Sequence, residues 1–70
     1  MSHGHIGGEP IERRYTCTIA HYACDIYASD EEVAAHEAAC QWWAWVAVTR
    51  EPVSVRVDGP YGTVTMEVRP

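Results

Sequence analysis

Two segments near the C-terminus alternate between apolar and polar residues. Residues 53–57 (V-S-V-R-V) and 63–69 (T-V-T-M-E-V-R) place valine or methionine at every second position. This period of two is typical of half-buried β-strands. The run D-G-P-Y-G between them consists of turn-forming residues. We predict an antiparallel hairpin over residues 53–69, whose valine face must pack on another element because an isolated hairpin is marginally stable.

The first half of the chain predicts a shorter pair of strands. Residues 14–18 and 24–28 are enriched in β-branched and aromatic residues, which favour strands, and residues 20–23 would connect them. Residues 1–10 are rich in glycine, histidine and polar residues and end at a proline. We interpret residues 1–10 as a mobile N-terminal arm and residues 11–70 as a single small domain.

A helix is predicted to begin after Ser29. Ser29 and Glu32 have the spacing of a capping box, and the acidic residues that follow Ser29 suit the positive end of a helix dipole. Neither glycine nor proline follows until Pro52. Two endings stay open: the helix continues to about residue 48, which we favour, or it stops earlier and residues 43–49 form a strand. The longer helix would carry one stripe of Val33, His36, Cys40, Trp43 and Ala47, and a second of Trp42, Trp45 and Val46.

The composition of the chain limits its class. A domain of 70 residues buries little surface and often requires a metal, disulfides or oligomerisation. No apolar run approaches the roughly 20 residues of a membrane span, and the N-terminus lacks the features of a secretory signal, so we expect a cytoplasmic protein. Three cysteines in a reducing compartment favour metal binding or free thiols over disulfides. The absence of Lys, Asn and Phe indicates a high-GC genome, and hence an actinobacterial or bacteriophage source.

The cysteines and two histidines have the placement of a zinc site. His36 and Cys40 are i and i+4 on one face of the predicted helix, and Cys17 and Cys24 flank the connection of the first hairpin. Zinc takes cysteine thiolates and histidine nitrogens in tetrahedral sites. We therefore predict a structural Zn²⁺ bound by these four residues. His21, which lies inside the connection, is an alternative ligand in place of either hairpin cysteine.

Residues 15–40 also carry the apolar positions of a known family. Tyr15 precedes Cys17 by two positions, and Tyr27 is followed by Val33, which precedes His36 by three. This pattern resembles the Cys2His2 zinc finger in a Cys-Cys-His-Cys variant. The gap between the two cysteines is longer than the family's usual two to four residues or so. The resemblance implies a zinc-stapled ββα unit, here over residues 14–48. The expected fold is therefore α+β, with the C-terminal hairpin packed on the tryptophan-rich end of the helix.

Neither enzymatic nor nucleic-acid chemistry is expected. A zinc deaminase requires a Cys-x-x-Cys pair and a larger substrate pocket, so we expect no enzyme. The formal net charge is -5, and the acidic first turn of the helix would repel nucleic-acid phosphates. A nucleic-acid-binding zinc finger is thus an alternative that the charges disfavour.

Protein binding is the function that we expect. Aromatic residues are enriched at interface hot spots, so Trp42, Trp43 and Trp45 are candidate partner contacts, although they also suit a core. A homodimer through the tryptophan face or the hairpin edge is one outcome. The chain is thus predicted to be a protein-interaction or regulatory module of unidentified partner. A further alternative is a phage inhibitor of a host enzyme.

Overall fold

Two β-hairpins flank one helix along the chain. The structure, a computed structural model, describes residues 12–70, and the predicted N-terminal arm lies outside them. The elements are β1 (Arg13–Ile19), β2 (Tyr22–Ala28), α1 (Glu31–Trp45), β3 (Val53–Gly59) and β4 (Gly62–Val68). The α+β class and both predicted hairpins are confirmed. Within the described residues no helix is both long and apolar enough to cross a membrane.

The two hairpins form one antiparallel sheet in the order β2-β1-β3-β4. The central pairing joins β1 to β3 over a short stretch, from Thr16 opposite Asp58 to Thr18 opposite Arg56. The second hairpin therefore does more than pack on the helix, because it extends the first hairpin edge to edge. Helix α1 lies against all four strands of this sheet.

The core lies between α1 and one face of the sheet. The fully buried residues of the helix are all alanines, namely Ala34, Ala35, Ala38 and Ala39, and Trp42 and Trp43 are partly buried beside them. Because alanine side chains are small, the helix backbone approaches the sheet closely. The larger core side chains come from the strands: Tyr15, Cys17, Ile19, Ile26, Val55, Val57 and Val68. The alternation that predicted the strands thus decides which of their side chains are buried.

The helix begins one residue later than the capping-box pattern predicted. Asp30 is the N-cap, and its carboxylate accepts a hydrogen bond from the backbone N–H of Val33 at 2.9 Å. The carbonyl of Ser29 instead accepts from the Arg13 guanidinium at 3.1 Å. Because the residue three positions after Asp30 is a valine, the capping box with Glu32 does not form.

The helix ends between the two predicted endings. It stops at Trp45, and the backbone N–H groups of Val46 and Ala47 both bond to the carbonyl of Trp42 at 2.9 Å. The strand alternative over residues 43–49 is wrong, and the longer helix overshoots by three residues. The β-branched residues that follow Trp45 have lower helix propensity than the alanines before it, which favours this ending.

Candidate functional site

Cys17 and Cys24 face each other across the first hairpin. They are direct register partners of β1 and β2, on the sheet face that packs against the helix. Cys17 is only 1% exposed, and its thiol donates a hydrogen bond to the carbonyl oxygen of Ala34 at 3.6 Å. Cys24 lies on the edge strand and is partly exposed. The two predicted hairpin ligands are therefore neighbours, and Cys17 lies directly beneath the helix.

His36 and Cys40 lie on the outer side of α1. They share one helix face, as their spacing predicted, but both are exposed. With Glu32, Val33 and Glu37 they line a shallow hollow on the solvent side of the helix. The face that was predicted to meet the hairpin therefore points away from it, because the alanines occupy the sheet side.

The four predicted zinc ligands are consequently not brought together. Cys17 lies on the sheet side of the helix, whereas His36 and Cys40 lie on its solvent side, and His21 is exposed in the β1–β2 turn. Over residues 12–70, no group of three or more His, Cys, Asp or Glu side chains has the proximity of a metal site. The donors in this arrangement do not fit a tetrahedral zinc ion. Zinc binding stays a prediction from the sequence that the geometry does not support.

Burial keeps the paired thiols protonated. Desolvation raises the pKa of Cys17 to about 11, and the nearby Cys24, Asp58 and Asp25 add to the shift. Desolvation, followed by the charge of Asp25, also raises the pKa of Cys24. Since thiolates are the nucleophilic and metal-binding form of cysteine, the pair is a neutral dithiol at pH 7.

The three tryptophans have different environments. Trp42 packs against the core, with its ring centroid 6.1 Å from that of Tyr22 and tilted by 57°. The Trp43 indole N–H donates to the carbonyl of Glu51 at 2.8 Å, and the Arg50 guanidinium lies 5.9 Å from the ring centroid. Trp45 is 80% exposed. Two of the three predicted partner contacts thus anchor the helix end, and one projects from it.

Trp45 is one of three large, exposed apolar residues at the end of the helix. Val46 and Val48 lie one and three positions after it, and Val48 is 98% exposed. We call Trp45, Val46 and Val48 the helix-end patch. Trp45 was predicted as a partner contact from the sequence, but Val48 was not. The position of Val48 just beyond the last helical turn could have identified it, had the helix end been placed correctly.

The sheet face away from the helix is polar. It carries threonines at Thr16, Thr18, Thr63 and Thr65, together with charged residues. Arg56 on this face pairs with Asp58 at 3.4 Å, whereas Arg13, on the other side of β1, lies 5.2 Å from the ring centroid of Tyr61. Arg13 and Arg56 are thus engaged within the domain, which gives little support to a phosphate-binding surface.

Comparisons with protein-family models, with curated proteins and with solved structures found no match to this chain. A proposal for its function therefore depends on its own surface and side-chain chemistry.

Proposed function

We propose that this domain is a small protein-binding module that contacts its partner through the helix-end patch. The observation that carries the proposal is the exposure of Trp45, which is 80% accessible on the last turn of a regular helix. Trp is among the residues most enriched at interface hot spots. An exposed tryptophan beside two exposed valines favours an interaction surface over a core.

The surroundings of the patch support this function. Trp42 is packed against the core and Trp43 is tied to the backbone of Glu51, so the end of α1 is held on the sheet. Trp45 therefore projects from a helix end that is already ordered, so less conformational entropy is lost when a partner binds there. Because Trp42 and Trp43 hold the helix end on the sheet, Trp45 is not required for this packing and can contact a partner.

The other functions have weaker support. A nucleic-acid reader would use the start of the helix, where Asp30 and the acidic first turn would face phosphates. Inhibition of a host enzyme is one form of protein binding and would use the same patch. Self-association through the patch is a second form, and an experiment must separate the two.

Photo-crosslinking tests the proposal. A benzophenone amino acid in place of Trp45 is compared with one in place of Tyr27. Tyr27 is 65% exposed and lies on the sheet face that points away from the helix. In lysate of an actinobacterial host, we expect a discrete crosslinked protein from position 45 and none from position 27. Mass spectrometry identifies the partner, and a crosslink to the same chain would show a homodimer.

Affinity measurements with the identified partner complete the test. Trp45→Ser is expected to weaken binding by at least about 30-fold, which corresponds to a hot spot of about 2 kcal/mol. The matched control Tyr27→Ser should change the Kd by less than about twofold, as an aromatic outside the interface would. Equal crosslinking at both positions, or unchanged affinity in Trp45→Ser, would refute the proposal.

A further inference from the structure

Cys17 and Cys24 are register partners, so their backbone separation is expected to suit a disulfide. They lie directly opposite each other in the β1–β2 pairing, and both side chains are on the helix side of the sheet. Opposed residues in antiparallel strands have Cα atoms about 4.5–5.5 Å apart. A disulfide spans Cα separations of about 4.4–6.8 Å. The hairpin therefore needs no rearrangement of its strands to accept the bond.

The two sulfurs differ in their access to solvent. Cys24 is on β2, an edge strand of the sheet, and is partly exposed. Cys17 is on the neighbouring strand and is buried beneath α1. A small solute therefore reaches Cys24 first, and Cys17 can react only with a group that is already on Cys24. This asymmetry defines an attacking and a resolving cysteine.

We infer that Cys17 and Cys24 form a reversible thiol–disulfide site that a small disulfide of the glutathione class oxidises. First, Cys24 loses its proton to solvent, and its thiolate, a minor form at pH 7, attacks the small disulfide, forms a bond to one of its halves and releases the other as a thiolate. The Cys17 thiolate then attacks the Cys24 sulfur, forms the cross-strand disulfide and releases the second half. The two protein thiols lose two protons and two electrons, and the small disulfide is reduced to two thiols.

The bond would affect the first hairpin and leave the helix in place. The Cys17 thiol loses its hydrogen bond to the Ala34 carbonyl, and β1 and β2 become covalently joined. Because the closed loop lies within one hairpin, the sheet and α1 are retained, and we expect the Tm to rise. Cys40 is exposed on the outer face of α1, so it can form only a mixed disulfide or a bond to another molecule.

Oxidation of the Cys40→Ser variant tests the inference. The folded protein is treated with a chelator, incubated with oxidised glutathione and followed by intact-mass and peptide-mapping mass spectrometry. We expect the mass to fall by two hydrogen atoms, with Cys17 and Cys24 in one crosslinked peptide, and dithiothreitol to restore the original mass. A matched variant that also carries Cys24→Ser should show no such loss.

Two results would overturn the inference. One is a stable glutathione adduct on Cys24, with Cys17 still available to an alkylating agent once the protein is unfolded. The other is the absence of oxidation in the folded protein under conditions in which the urea-unfolded chain forms the bond. Thermal unfolding of the oxidised protein is a second readout: a higher Tm than that of the reduced protein supports the inference, and a lower Tm would also overturn it, because the hairpin would not accommodate the disulfide.

Discussion

Gly59 lies at the end of β3, beneath the ring of Tyr15. A Cβ atom at position 59 would lie 2.5 Å from both Cδ1 and Cε1 of Tyr15. Tyr15 is only 1% exposed, so the added methyl would meet a ring that is part of the packed core. We therefore predict that Gly59→Ala destabilises the domain because the added methyl overlaps the ring. A glycine is therefore required at position 59, because the Tyr15 ring packs directly against its backbone.

The size of the effect follows from the overlap. Forcing an extra carbon into a packed core costs about 1–3 kcal/mol. A domain of 70 residues has a total stability of about 4–10 kcal/mol, at about 0.05–0.15 kcal/mol per residue. With a urea m-value of about 1 kcal/mol/M for a small protein, the unfolding midpoint should fall by about 1–3 M.

Urea unfolding followed by tryptophan fluorescence measures this change, and Gly62 provides a matched control. No atom lies within 4 Å of a Cβ at position 62, but its φ is +130°, so Gly62→Ala is strained by the backbone alone. In a Tyr15→Leu background, the cost of Gly59→Ala should largely disappear, whereas that of Gly62→Ala should persist. A cost of Gly59→Ala below about 0.5 kcal/mol, or one that is equal in both backgrounds, would refute the reasoning.

Three further predictions concern other parts of the domain. Asp30→Ala should cost about 1 kcal/mol by removing the N-cap, whereas Ser29→Ala should cost only a few tenths, as urea unfolding would show. In the folded state, burial raises the pKa of the Cys17 thiol to about 11 from an ordinary value of 9.0. The protonated Cys17 thiol therefore contributes fully to stability below pH 9. As the pH rises from 9 to 11, wild type should lose roughly 2 kcal/mol more than Cys17→Ala, because the raised pKa of Cys24 is common to both proteins. Trp42→Ala should cost about 1–3 kcal/mol because the side chain is half-buried, whereas Trp45→Ala should cost under about 0.5, and a larger loss at position 45 would contradict its exposure.

The strands could be predicted from the sequence because their signals are local. Alternating valines and the D-G-P-Y-G turn specify the second hairpin without reference to the rest of the chain. The pairing of β1 with β3 is different, because it joins residues far apart in sequence. Nothing in the alternation of either strand distinguishes this sheet from two separate hairpins.

The orientation of the helix could not be predicted from its pattern. Val33, His36 and Cys40 form a stripe by spacing, but Ala34, Ala35, Ala38 and Ala39 form another. A helix that is apolar on several sides has no single stripe that identifies the core. Here the small alanine side chains allow the closest packing of the helix on the sheet. With the alanine face on the sheet, His36 and Cys40 point outward, away from Cys17. The spacing of the zinc ligands was therefore a correct observation about one helix face, but it did not determine where that face points.

The packing of the alanine face on the sheet separates Cys17 and Cys24 from Cys40. Pulsed alkylation of the native protein, with and without added zinc and resolved by peptide mass spectrometry, tests this separation most directly. We predict that Cys40 is alkylated first, Cys24 more slowly and Cys17 only as the protein unfolds, with the same order when zinc is present. Joint protection of all three cysteines by zinc would contradict the arrangement, because it would require Cys40 to lie beside Cys17.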